Sequence, residues 1–331
     1  MSIPRCSLPV WRNLYEAACA FRDIACWEWM SDSDMFGVQN PASGEIGYCC
    51  VLGELGEVYG LVVYLGNEGL EQYRKIQSGT IHAGSPDVAY GQSCLTAWFG
   101  RRSDLDNTDL RVVRELGLKF RGTEAWPQFR SLQPGYIPWY LTETEATFLT
   151  LCLQQAGQVA RHFEKDPDWL TASTKNHYLV RVLTGNADSN SAPQPLPSSV
   201  APAQQVLFPE GVETRVQKWD SLWSRPVLPV KASVRPFALD EVRLQRIKKT
   251  SQAQHGIWEI DAFFSPAPVD GNDRPFFPYT FLCADHDSGF ILSTVLAKWS
   301  SWETEFPKTF LDSVEEHKRV MPSQRRTAGA L

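Results

Sequence analysis

Residues 27–73 read WEWMSDSDMFGVQNPASGEIGYCCVLGELGEVYGLVVYLGNEGLEQY, and the second half of this stretch decides the fold. Ile46 to Leu52 is apolar and β-favouring, and Val58 to Leu65 is a second such run, rich in Val, Leu and Tyr. Gly53-Glu54-Leu55-Gly56-Glu57 between them is short and carries two glycines. It predicts a hairpin turn, because glycine takes the positive φ of a tight reversal without steric cost. Both runs are apolar at nearly every position, so both faces of the hairpin are expected to be covered. After Gly66 the spacing changes. Leu70, Tyr73 and Ile76 fall three apart, and Asn67 is a capping residue by type, so a helix is expected after the second strand.

The first half of the stretch mixes indoles with carboxylates: Trp27, Glu28, Trp29, Asp32, Asp34 and Phe36, then Glu45 after the turn Asn40-Pro41-Ala42-Ser43-Gly44. It has two readings. Aromatic platforms beside carboxylates make a ligand-facing surface, with Trp27, Glu28, Trp29, Asp34 and Glu45 as candidate binding residues. Alternatively the indoles close one side of the core and the aspartates cap turns.

Working outward, Trp11 to Ile24 has one apolar stripe (Leu14, Ala17, Ala18, Phe21, Ile24) and reads as an amphipathic helix. Ser78 to Gly91 is loop punctuation, Ser93 to Phe99 a further strand, and Asp109 to Leu116 a helix capped by Asp106 or Asn107. Arg121 to Tyr140 holds three prolines and five aromatics, which predicts an extended crossing segment without regular structure. Thr142 and Glu145 form a capping box before the strongest helix, which runs to Phe163, and His177 to Leu183 closes the first domain as a strand. Gly185 to Gln205 has four prolines and one charge, so it marks a linker.

Beyond the linker the expected elements are a strand at Val212 to Trp219, a helix at Leu239 to Lys249 and a strand at Ile257 to Phe264. A hairpin of Tyr279 to Ala284 with Phe290 to Leu296 follows, then a helix at Thr309 to His317 and a frayed tail from Met321. The fold class is therefore α+β in two domains: residues 1–184 as an N-terminal β-hairpin and helix domain, 185–210 as a Pro/Ser-rich linker, and 211–331 as a smaller C-terminal α+β domain.

Composition narrows function by exclusion. A formal charge of −6 over 331 residues disfavours a chain-wide nucleic-acid or membrane electrostatic role. No segment reaches the roughly 18 uncharged apolar residues of a membrane span. Eight cysteines form no CxxC pair and follow no secretory signal, so buried reduced thiols and a cytoplasmic location are expected. Gly53, Gly56 and Gly60 lie in a hairpin without a helix behind them and are no phosphate loop; Gly91-Gln92-Ser93-Cys94 lacks the second glycine of a nucleophile elbow. No close His pair suggests zinc, and no cofactor is identified.

Two passages resemble a known family. The cues are CWEWM, FGVQNPASGEIGYCCVLGELGEV, VYLGNEGLEQY and LGLKFRGTEAWPQFRSLQPGYIPWYLTETEATFL in the first domain, and WEIDAFFSPAPVDGNDRPFFPYTFLCADHDSGFIL in the second. Together they are similar to an uncharacterised bacterial two-domain family, both halves of which are domains of unknown function. The resemblance implies a soluble bacterial protein and supplies no catalytic residues. It also implies that the second domain of relatives continues past the helix near Glu315 into a further strand and helix, so this chain's second domain is expected to be shortened.

Two function classes remain. The leading one is a non-catalytic cytosolic binding or adaptor protein with a protein partner, resting on the aromatic and acidic segments. The alternative is a metal-dependent phosphodiesterase or nuclease relic. There the second hairpin imitates the opening hairpin of ribonuclease-H-like folds, and Asp285, with Asp287 and Glu303 or Asp312, would hold a divalent ion. Asp287-Ser288-Gly289 is equally what a plain hairpin turn requires.

Overall fold

The hairpin lies at the centre of a seven-stranded sheet. The computed structural model describes residues 6–56, 58–81, 90–171, 176–184, 218–226, 241–250, 257–271, 274–316 and 324–327. In the first domain β1 is Phe36–Gln39, β2 Ile46–Leu52, β3 Tyr59–Leu65, β4 Cys94–Gly100, β5 Trp126–Leu132, β6 Tyr178–Leu183 and β7 Trp219–Ser224. The helices there are α1 (Leu8–Ile24), α2 (Gly66–Gln77), α3 (Asn107–Glu115) and α4 (Glu143–Phe163). The strand order is β5-β4-β3-β2-β1-β6-β7. All neighbours run antiparallel except β1 and β6.

Side chains alternate across a strand, and here both faces meet a packed layer. Cys49, Val51, Leu61 and Val63 join Leu14, Phe21, Leu149 and Leu153 of α1 and α4 in the larger core. Tyr48, Cys50, Val62 and Tyr64 face the other way, against Leu70 and Tyr73 of α2. The adjacent thiols of Cys49 and Cys50 thus belong to different cores, which is why the strands read as continuous apolar runs.

Local chemistry fixes the helix starts. Glu145 Oε2 accepts the Thr142 amide at 2.7 Å while the Glu145 amide donates to Thr142 Oγ1 at 3.3 Å, the reciprocal cap expected for α4. Asp106 Oδ1 accepts the amides of Thr108 and Asp109 and opens α3. The cap expected of Asn67 is not made: α2 begins at Gly66, whose φ of +59° absorbs the turn from β3 directly into the helix.

Several elements differ from expectation. β1 has four residues and a central glycine, too little periodicity to be read, yet it is the only strand bridging the hairpin to β6. β5 is a regular strand within the segment expected to be irregular; it lies at the sheet edge, where Pro127 is tolerated. The first strand after the linker is Trp219–Ser224. It pairs with β6, which places it in the first domain's sheet and not at the start of the second domain. The stretch from Val212 to residue 217, expected to begin that strand, lies outside the described residues, as do the linker and most of the loop from Ser78.

The second domain holds α5 (Glu241–Thr250), β8 (Ile257–Phe264), β9 (Tyr279–Asp285), β10 (Ile291–Ala297), α6 (Trp302–Glu316) and β11 (Gln324–Thr327) in an α+β arrangement. Its four-stranded sheet runs β10-β9-β8-β11, with β11 parallel to β8. A strand therefore follows α6 where a frayed tail was expected. The helix also starts seven residues earlier than expected, at Trp302 rather than Thr309, and carries Pro307 inside. Ile247, Trp258, Phe281, Cys283, Phe306 and Val314 form the core of this domain.

A seam joins the two units. After β5 the chain doubles back, with Ser131 and Trp139 exchanging backbone hydrogen bonds at 2.8 and 2.9 Å. At its tip the Phe277 amide donates to the Gly135 carbonyl at 2.7 Å, and Arg274 donates to the carbonyls of Ile137 and Ser131 at 2.8 and 2.7 Å while lying over the Tyr136 ring. Burial pulls the Arg274 guanidinium down to about 10, against the opposing pull of Glu145. No helix among the described residues is long and apolar enough to cross a membrane.

Candidate functional site

The indoles of the aromatic segment turn inward. The turn Cys26–Glu28 seats the Trp27 ring 5.2 Å from Tyr59, 5.9 Å from Phe99 and 6.1 Å from Phe21. Trp29 donates its Nε1–H to the Ala160 carbonyl of α4 at 3.3 Å, and both indoles pack on the larger core. Asp34 Oδ2 accepts the Ser31 amide at 2.7 Å and its hydroxyl at 3.0 Å, closing the turn ahead of β1. Glu28 and Glu45 are exposed. Asp34 precedes β1 and Glu45 follows the turn at its other end, so the strand separates the two carboxylates and the five residues do not converge. Tyr59 and Phe99, under Trp27, also line a cleft with Arg101, Asp104 and Glu124, but Asp104 Oδ2 there accepts the Arg101 amide at 2.7 Å.

Acids and thiols with catalytic potential are tied into the fold. The Asp285 carboxylate accepts the Ser288 hydroxyl at 2.5 Å and the Ser288 amide at 3.0 Å. Those two bonds, with help from His286, hold it below the usual carboxylate range. Asp312 pairs with Arg243 across α5 and α6, so the structure does not bring it to Asp285. Asp287 sits in the turn itself, and Glu303 in the first turn of α6. The described residues bring together no group of three His, Cys, Asp or Glu able to hold a metal ion. Asp106 and Asp109 both bond Arg130, and Tyr140 donates to Asp106 at 2.6 Å. Burial alone would raise Asp106; the Tyr140 hydroxyl, two helix amides and Arg130 outweigh it and hold the carboxyl low. Burial pushes the thiols of Cys26 and Cys94 up to about 12, and burial with Glu143 and Glu145 pushes Cys6 up to about 11, far from thiolate reactivity at neutral pH.

The surface that stands out is the face of the second sheet away from its helices. Trp258, Phe281 and Val295 point into the helix-covered core, so their neighbours point out. Register places Leu296, Thr280 and Phe263 in one outward row, Thr294, Leu282 and Asp261 in the next, and Ile291, Ala284 and Glu259 in a third. Leu296 is 60% exposed, Ile291 53% and Phe263 41%, and Phe290 beside them is 65% exposed. Glu259 and Asp261 of β8, which β11 flanks on its other side, add two carboxylates to this face; Glu259 bonds His286 at 2.7 Å.

No single motif announces this face. The signal available was a mismatch: Phe263 of β8 and Leu296 of β10 are apolar in the phase opposite to the core, while the described helices of the second domain cover one face.

The model of a domain of unknown function (DUF7309) matches residues 11–181, and that of a second domain of unknown function (DUF6930) matches residues 243–328. No curated protein and no solved structure matches the chain.

Proposed function

The chain belongs to the family of the domain of unknown function DUF7309, and from its geometry we propose that it is a non-catalytic binding or adaptor protein. In this reading the first domain is a scaffold and the open face of the second sheet receives a protein partner. The observation that carries it is the exposure of Leu296, Phe263 and Ile291 on one face of a sheet whose described helices occupy the opposite face. Large apolar side chains exposed on one face, with polar residues among them, are what protein interfaces use.

Glu259 and Asp261 set the chemistry of the partner: an apolar segment bordered by Lys or Arg, whose cations meet the two carboxylates. The non-catalytic part is supported by Asp285, Asp106 and Asp109, each engaged in bonds that hold a turn or a helix. We place the protein in the bacterial cytoplasm, since eight cysteines present as thiols fit a reducing compartment.

The test is fluorescence anisotropy with a labelled peptide of alternating Leu and Lys against the intact chain. Binding is expected to weaken at least tenfold in the double variant Phe263→Ser, Leu296→Ser and to be unaffected by Trp27→Ala. Equal affinity for the wild type and the double variant sinks the assignment of this face.

A further inference from the structure

β6 and β7 extend the first sheet beyond the strands on which α4 chiefly packs, β1 to β4. On that face Arg181 of β6 stands opposite Ser221 of β7. Its guanidinium donates from Nε to Gln155 Oε1 at 3.0 Å, from Nη1 to Ser221 Oγ at 2.6 Å and from Nη2 to Gln158 Oε1 at 3.3 Å. We infer that Arg181 anchors an oxyanion-binding site, bordered by Ser221, Gln158 and His162, and that the group it takes is a phosphate.

Arg181 has no charged partner among the described residues. All three of its acceptors are neutral, and among the described residues no carboxylate lies within ion-pair distance of it. Asp220, the carboxylate it feels most, pairs with Val182 and so projects from the opposite face of β7. Arg130, the comparable half-buried arginine, holds two carboxylates. A partly desolvated cation held only by neutral dipoles is an incomplete pair, and an incoming anion completes it.

Donor geometry agrees. Arginine has five N–H groups. Three are used, which leaves one on each terminal nitrogen for the oxygens of a phosphate. The floor is rigid: Gln155 is only 2% exposed.

A phosphate's second charge has a partner as well: burial first, then the cations Arg181 and Lys165, hold His162 at this border below its usual range, while Asp220 acts on Arg181 from the opposite face of β7. By strand alternation Trp219 and Trp223 flank Ser221 on the same face, giving planar surfaces on either side of the anion. This site lies in the first domain and does not depend on the partner surface proposed for the second.

The experiment is thermal unfolding of the intact chain in a non-phosphate buffer, titrated with inorganic phosphate and, separately, with sodium chloride at equal ionic strength. Phosphate is expected to raise the midpoint in proportion to the logarithm of its concentration once it exceeds Kd, and chloride is not. Gln158→Glu places an internal carboxylate on the guanidinium. It is expected to raise the midpoint without phosphate and to remove the phosphate response; Arg181→Gln should remove the response as well.

Phenyl phosphate separates the sources of the group. A larger shift than inorganic phosphate gives, reduced by Trp223→Ala, indicates a phosphate ester, and equal shifts indicate the free ion. The inference is overturned if phosphate and chloride act alike on the wild type, or if Gln158→Glu keeps the full phosphate response; Arg181 is then a clip between β6, β7 and α4 and nothing more.

Discussion

Replacing Arg130 with Met removes one guanidinium while keeping most of its packed length, and the consequence can be worked from the geometry. Arg130 bonds both oxygens of Asp109, at 2.9 and 2.7 Å, and reaches Asp106 at 3.1 Å. An exposed ion pair is worth about 0–1 kcal/mol. This one is not exposed: the Arg130 and Asp109 side chains keep 13% and 11% of their surface. Removing one partner of a buried pair strands the other, at a cost of about 3–5 kcal/mol. The loss should be local, because the cluster pins α3 to β5, and a chain of two domains does not unfold as one unit. Hydrogen exchange of the α3 amides is therefore the assay. Protection is expected to fall by about two to four powers of ten, at 1.4 kcal/mol per tenfold. The triple variant Arg130→Met, Asp106→Asn, Asp109→Asn should recover much of it, since no charge is then left uncompensated. Less than about a tenfold loss in the single variant would refute the reasoning. The pH dependence follows in sign. Asp106 has a depressed folded pKa, so its contribution is complete above the unfolded value of about 3.9 and disappears as pH falls through the folded value. Protection of α3 should hold steady from neutral pH down to about 5 and fall below about 4.

Three further outcomes are expected. In Gly60→Ala the new Cβ would meet the Ala97 carbonyl, a backbone atom of β4 that cannot swing aside; urea denaturation should place the cost near the top of the roughly 1–3 kcal/mol overpacking range, while Gly91→Ala, whose nearest neighbour is Gln72 at 3.6 Å, stays near neutral. Trp29→Ala removes an indole packed on the larger core and bonded to Ala160, so the thermal midpoint should drop while affinity for the Leu/Lys peptide is retained; an unchanged midpoint with lost affinity would restore Trp29 as a binding residue. Asp285→Asn should loosen the β9–β10 turn, and Mn²⁺ should leave the midpoint of both forms unchanged, whereas a Mn²⁺-dependent rise lost in the variant would revive the phosphodiesterase alternative.

What could be read from the chain is what local chemistry dictates. The β2–β3 hairpin was legible because its runs are long, apolar in both phases and separated by glycines, and α4 because Thr142 and Glu145 announce its first turn. β1 was not legible, since four residues with a glycine carry no period, and its parallel partner β6 lies about 140 residues away along the chain. β5 was hidden by a rule applied too widely: proline forbids a central strand, and an edge position is a tertiary fact. β7 was hidden for the same reason, because only sheet pairing tells which domain a strand beyond a linker joins. Among the site candidates, the indoles of Trp27 and Trp29 were open to both a surface and a core reading, and both pack on the larger core. Arg181, Phe263 and Leu296 carry no motif. Their roles come from what stands beside or fails to cover them, which a linear sequence does not contain.

The most direct measurement of the central claim is site-specific photocrosslinking in bacterial cells from a benzoylphenylalanine at position 296, compared with one at exposed position 245 on α5. The account predicts a discrete protein adduct from position 296 that is absent from position 245 and lost when Glu259 and Asp261 are both changed to Lys. The same adducts from both positions, or an adduct indifferent to the charge reversal, would contradict the claim that the open face of the second sheet receives a basic, apolar partner; an adduct of two copies of this chain would replace that partner with the protein itself.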